Sequence, residues 1–354
     1  MTPSHFPHCL TEVSKATLQN VSFMISDEAA TVTEADMEQV RAVLLWAPHD
    51  ADAEDAAGWT PLHRLLRFGE GPNMAECVKL FVTTRPSTAV KETPEGQQPL
   101  QLAVQCIDDA ESLAFCIKAL LAACPQAAQK AGPEEMLPLH WLARRSRHNA
   151  GTVRCARRLL RAYPAAAQTL TADNWLPLQL VAKHAKGGGD VTAFVELLLQ
   201  AYPAGATQSG PEGQLPLHDV LRALSRSTVS VAVAFCLLDA YPRATHKKDA
   251  SGLLPLHLWS QTICRGAQGV VFLKQLIAAH PGAAEIATAE GQQLPLHLLM
   301  TTSASPEAVE ALVRAFPQAL FAQDGNKQMP LELAVEHGLP NGIISNLQRM
   351  MQGR

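Results

Sequence analysis

Thirteen histidines, eight cysteines and 33 carboxylates give this chain of 354 residues ample material for metal, acid–base or thiol chemistry. Such chemistry needs unlike groups converging on one point, and the spacing does the opposite. His63, His140, His218, His257 and His297 each follow a proline by two residues, and Gln101, Gln179 and Glu332 fill the same place elsewhere. A metal ligand or general base is not repeated every 39 residues, so these histidines read as structural hydrogen-bonding groups. Cys77, Cys116 and Cys155 each lie nine residues before a second proline, in a slot that Phe194, Val233 and Phe272 occupy later in the chain. A slot shared with phenylalanine and valine belongs to a core, where a free thiol acts as a small hydrophobe. There is no C-x-x-C, H-E-x-x-H, G-x-S-x-G or phosphate-binding loop; Gly187-Gly188-Gly189 lacks the Lys-Ser/Thr that a phosphate loop requires and reads as a connection. The expectation is a chain that is not an enzyme and carries no cofactor or metal.

What organises the residues is a repeat. Pro-Leu followed by His, Gln or Glu begins at Pro61, Pro99, Pro138, Pro177, Pro216, Pro255, Pro295 and Pro330, with gaps of 38, 39, 39, 39, 39, 40 and 35 residues. Pro48, Pro86, Pro125, Pro164, Pro203, Pro242, Pro281 and Pro317 precede these by 13 residues each, except Pro281, which precedes by 14. Two markers in register at that period signal stacked supersecondary units. Each unit predicts a first helix opening on Pro, where the missing N–H costs nothing, and a second helix ending before the other Pro. A Gly-containing turn then leads to the next unit. Ahead of the array, Thr33 with Asp36 predicts a helix N-terminus, and Met37, Val40, Val43, Leu44 and Trp46 an amphipathic cap helix over 34–47. Residues 1–32 form an extension without a period, within which 18–26 has strand character.

Gly58-Trp59-Thr60-Pro61-Leu62-His63 resembles the opening of an ankyrin repeat, T-P-L-H-x-A. Glu290-Gly291 and Asp249-Ala250-Ser251-Gly252 are similar to the tip of that family's turn finger. The resemblance covers residues 33–354, in a long variant of about 39 residues marked by L-P-L-H and A-Y-P, against the usual 33 or so. The 13-residue spacing matches the family's finger, so the surplus falls between the first and second helices, at 145–149, 187–189, 225–230 and 264–269. A HEAT-like solenoid suits the period but does not explain the Gly turn before P-L-H. The resemblance implies an all-α, ankyrin-type α-solenoid of about eight helix–loop–helix repeats with short fingers and an N-terminal cap helix. Repeats start near residues 58, 96, 135, 174, 213, 252, 291 and 326. It also implies that the repeated histidines bond backbone near the fingers, tying each unit to the next, and that the first helices line a groove.

Charge then suggests a partner. On that resemblance, the positions three, six and seven after each first-helix Pro face the groove. They place Arg64, Arg67 and Phe68 there in the first repeat, Trp141, Arg144 and Arg145 in the third, and Leu180, Lys183 and His184 in the fourth. Asp219, Arg222 and Ala223 follow in the fifth, and Leu258 and Leu298 hold the first of these places later. Trp141, Arg144, Arg145, Leu180, Lys183, His184 and Arg222 are the candidate partner-binding residues, with Trp141 an anchor and the cations meeting an acidic protein. Scaffold or adaptor is the expected role; a permanently bound structural subunit is the alternative. The acidic stretch 27–55 and the arginine-rich 144–161 also allow head-to-tail self-association. A net charge of −4 argues against nucleic acid. No apolar run is long enough to span a bilayer, and no secretory leader or disulfide framework is evident, so a reducing cytoplasmic or nuclear setting is expected.

Overall fold

A computed structural model of the chain describes residues 30–46, 48–145, 149–184, 190–225, 230–262, 266–302 and 305–353. The strand expectation at 18–26, the glycines 187–189 and most of the four predicted surplus connections lie outside the described residues. The described chain is all-α apart from two short strands, and it falls into two compact units, one ending at Asp173 and one starting at Asn174.

The first unit opens with β1 (Ala30–Thr31) and α1 (Glu34–Trp46), followed by the pairs α2 (Pro61–Phe68) and α3 (Pro72–Thr84), α4 (Pro99–Cys106) and α5 (Ala110–Ala123), and α6 (Pro138–Arg144) and α7 (Ala150–Ala162). Between α2 and α3, β2 (Gly69–Glu70) pairs in parallel with β1. Thr33 and Asp36 cap α1 reciprocally: Asp36 N–H donates to Thr33 Oγ1 and Thr33 N–H to Asp36 Oδ2, at 3.2 and 2.8 Å. The first helices α2, α4 and α6 pack in succession, and so do α1, α3, α5 and α7.

The second unit repeats the scheme. Its pairs are α8 (Pro177–His184) and α9 (Val191–Ala201), α10 (Pro216–Ser225) and α11 (Val231–Ala240), α12 (Pro255–Ser260) and α13 (Ala267–Ala279), α14 (Pro295–Met300) and α15 (Pro306–Ala315), and α16 (Pro330–Glu336) and α17 (Asn341–Met351). Again first helices stack on first helices, within what is a short α-solenoid. First helices of six to ten residues are too short to persist alone in water. They survive because leucines on them, such as Leu217, Leu221 and Leu256, are at most 2% exposed against the neighbouring pairs.

Two features make the pairs join. The second-series prolines do not merely end the second helices. Each begins a 3-10 turn, as at Pro86–Val90, Pro125–Gln129, Pro203–Thr207 and Pro242–His246. The residue three before each first-helix Pro is left-handed in every pair. Glycine stands there at Gly58, Gly96, Gly213 and Gly252 (φ +76 to +77°), whereas Glu135, Asn174, Gln292 and Lys327 adopt φ of 55, 61, 47 and 64°. Two backbone bonds close each glycine finger, as where Asp249 N–H donates to Leu253 O and Gly252 N–H to Asp249 O, both at 2.9 Å. The extra residue before Pro295 sits in the finger itself, where the closing bond runs from Thr288 N–H to Gln293 O, one residue further than in its neighbours.

Candidate functional site

The repeated histidines are fully buried and each bridges two backbone groups. His140 Nδ1 lies 3.0 Å from Leu137 N, which can only donate, and its Nε2 lies 2.9 Å from Thr169 O, which can only accept. The ring is therefore neutral with its proton on Nε2. His63, His218, His257 and His297 repeat this, accepting from Thr60, Leu215, Leu254 and Leu294 and donating to Lys91, Lys247, Ile286 and Ala322. Gln101 and Gln179 make both bonds with an amide, reaching Lys130 O and Gln208 O at 2.8 and 3.0 Å. Each such side chain caps its own helix and holds the finger that begins the next pair. Burial pushes all five histidine pKa values below the ordinary 6.5, His140 to about 4. These rings have no free nitrogen with which to act on a substrate.

The face of the first helices is where the polar chemistry that the fold does not use collects. Of the three positions predicted to face outward, the third after Pro is buried wherever it holds leucine or Asp219, and half-buried at Arg64 and Trp141. Leu180, Leu258 and Leu298 are 5, 5 and 4% exposed, because stacked first helices and the finger enclose that position on both sides. Leu180 is therefore core rather than a groove contact. The sixth position is the exposed one, with Arg67, Arg144, Lys183, Gln261 and Thr301 all at the surface.

Its cations are already engaged. In the first unit, Arg144 pairs with Glu134 at 3.3 Å and lies 5.6 Å from the Trp141 ring. Arg145 turns away from that face: its NH1 donates to Val104 O at 2.8 Å and NH2 meets Asp108, closing the end of α4. In the second unit, Lys183 pairs with Glu212 at 3.0 Å and stands 4.1 Å over Trp175. Arg222 meets Asp249 Oδ2 at 2.5 Å and Ser251 Oγ at 3.3 Å. His184 is half-buried at the end of α8. The seven residues are thus divided between the units, and most of their charge is matched by finger carboxylates ten to 29 positions away in sequence. Elsewhere, Arg154 and Arg158 reach back from α7 to Glu111 and the Ala114 carbonyl, and Asp52 and Asp55 hold Arg85 and Arg64. The charges expected to drive self-association are largely engaged within one molecule.

On this face, buried polar atoms also lack partners: Gln98 Oε1 and Gln105 Nε2 at α4, Trp141 Nε1 on α6, and Asp219 Oδ2 on α10. Orphaned buried groups cost about 1–3 kcal/mol each. Neither glutamine was singled out from sequence, and nothing in their spacing marks them.

Among the described residues no group of three or more His, Cys, Asp or Glu is placed to hold a metal ion. An open cleft of about 640 Å³ lies between the starts of α3 and α5, beside Gly71, Glu76, Asp109 and Phe115. Cys77, Cys116 and Cys155 are buried and their thiols pushed up to about 11, 12 and 11 by that burial. No helix among the described residues is long and apolar enough to cross a membrane.

No family model matches the chain, and no curated protein matches it. Among solved structures, that of a predatory endopeptidase from Bdellovibrio bacteriovorus in complex with an immunity protein aligns with TM-score 0.44 and 14% identity, over 62% of this chain and 99% of the matched one. The presence of an endopeptidase in that structure runs against the expectation of a chain without catalysis, and that expectation is withdrawn. At this TM-score the likeness carries no argument about what the chain does.

Proposed function

We propose that the chain is a protein-binding module of ankyrin type, a scaffold or adaptor that holds its partner on the face of the first helices and the adjoining finger tips. The observation that carries this reading is the collection there of unpartnered buried polar atoms beside exposed cation–aromatic pairs. The second helices, by comparison, pack by leucine, alanine and cysteine and show no unpartnered buried side-chain atom among the described residues. Aromatic and arginine side chains on a rigid surface are the usual anchors of a protein interface. An acidic partner is less favoured than the arginine count suggests, because Arg144, Lys183 and Arg222 each already have a carboxylate.

Affinity capture tests the reading. The wild-type chain, a first-helix variant (Trp141→Ala with Arg144→Ala) and a second-helix variant (Arg157→Ala with Arg161→Ala) are used as baits in parallel. A specific partner lost from the first-helix variant and retained by the second-helix variant is the expected result. Retention by both variants, or loss from the second-helix variant alone, would refute it.

A further inference from the structure

Five of the other seven third positions, at Leu102, Leu180, Leu258, Leu298 and Leu333, hold leucine at 0 to 5% exposure, and the other two are the half-buried Arg64 and Trp141. Asp219 stands in the same place on α10 at 6% exposure. A carboxylate in a leucine slot is costly to bury unless its oxygens are paired. Asp219 Oδ2 has no donor. The ionised groups around it are Glu212, Lys183 and Arg222, with Asp249 beyond Arg222. Both cations are committed: Lys183 to Glu212, and Arg222 to Asp249 and Ser251. Glu212 also accepts from Gln214, and Asp249 from the backbone N–H groups of Ser251 and Leu253. The cluster therefore holds three carboxylates against two cations, and the unmatched one is Asp219.

Burial pushes the Asp219 carboxyl up to about 7, against the opposing pull of Lys183, a hydrogen bond with Gln214, and Arg222, while Oδ2 itself has no donor. The two cations whose charge it feels, Lys183 and Arg222, are 35 and 41% exposed, so they can swing aside without disturbing the core.

We infer that Asp219 is a partner contact: its carboxylate receives a lysine or arginine side chain from the protein bound on the first-helix face of the second unit. The inference rests on the proposed protein-binding function and names the chemistry that one point of the surface selects. A single cationic side chain supplies both the missing donor and the missing positive charge. A stability role predicts the opposite behaviour, since leucine is what five of the other seven pairs use in this slot.

The test measures fluorescence anisotropy of a labelled, end-capped hexalysine peptide, with hexaglutamate as the comparison, on the full chain. Wild type is set against Asp219→Asn, which removes the charge and keeps the shape, and Asp219→Leu, which places there the residue that five other pairs carry. Glu307→Gln, on the surface of α15, controls for net charge. Both Asp219 variants should bind hexalysine about tenfold more weakly, Glu307→Gln should bind as wild type, and Asp219→Leu should melt at a higher temperature. Hexalysine binding unchanged in both variants, or weakened equally by Glu307→Gln, would overturn the inference, as would tighter binding of hexaglutamate than of hexalysine. Asp219→Leu melting below wild type would also overturn it, by giving the carboxylate a structural role. None of these outcomes touches the capture experiment, whose baits leave Asp219 intact.

Discussion

A ring that donates from one nitrogen and accepts at the other can be replaced by an amide that does the same. His140→Gln is accordingly expected to fold with little loss, because Gln101 and Gln179 already make both bonds in this chain. His140→Leu should cost about 1–3 kcal/mol by strand-free chemical denaturation at pH 7.5, since Leu137 N–H and Thr169 O lose their partner. The pair of variants also isolates the pH dependence. In the unfolded chain the imidazole takes a proton near 6.5; in the folded chain it does so only near 4. The folded pKa is the lower one, so its contribution is complete above about 6.5 and is lost as pH falls toward 4. At pH 5 the stability difference between wild type and His140→Gln should therefore have moved by about 2 kcal/mol in favour of glutamine. A difference that stays constant between pH 7.5 and 5 would mean the ring titrates normally. That these histidines are repeated rather than clustered was legible in the sequence; which backbone groups they hold was not, because the acceptor lies 25 to 29 residues on, in the next finger.

At the scale of the element, the fingers are set by one left-handed residue, and only half of the pairs use glycine there. Gly252→Ala meets no atom within 4 Å, so its cost is conformational alone, about 1 kcal/mol. Lys327→Gly should stabilise by a similar amount, because a side chain at φ 64° is relieved; thermal melts of the two variants should shift in opposite directions. The helix pairs, the Pro starts and the Gly turns follow from the 13 and 39 residue spacings. The 3-10 turns after the second-series prolines do not, because proline at a helix end is equally compatible with an extended chain. Reading the third position as outward failed for a physical reason. A solvent-facing stripe is expected of a helix packed on one side, but first helices of six to ten residues have a neighbour on either side and a finger beside them, which leaves mainly the sixth position clear. The same enclosure buries Asp219, which the sequence places among the groove-facing positions.

For the molecule as a whole, an array whose pairs touch only their neighbours stores its stability locally. Leu276→Ala on α13, 1% exposed in wild type, should cost about 2–5 kcal/mol. Amide exchange should rise in α11, α13 and α15 and stay unchanged in α3 and α5. Formal charge is nearly balanced at −4, and the finger carboxylates answer most of the cations on the first helices. Partner choice therefore falls to the few groups left unanswered rather than to net charge. Amide exchange of the captured complex against the free chain reads directly where the partner sits. Protection is predicted on the first helices of one unit, at 99–106 and 138–144 in the first or at 177–183 and 216–222 in the second, and in the fingers preceding them. Protection confined to the second helices, with those segments exchanging as they do in the free protein, would contradict it.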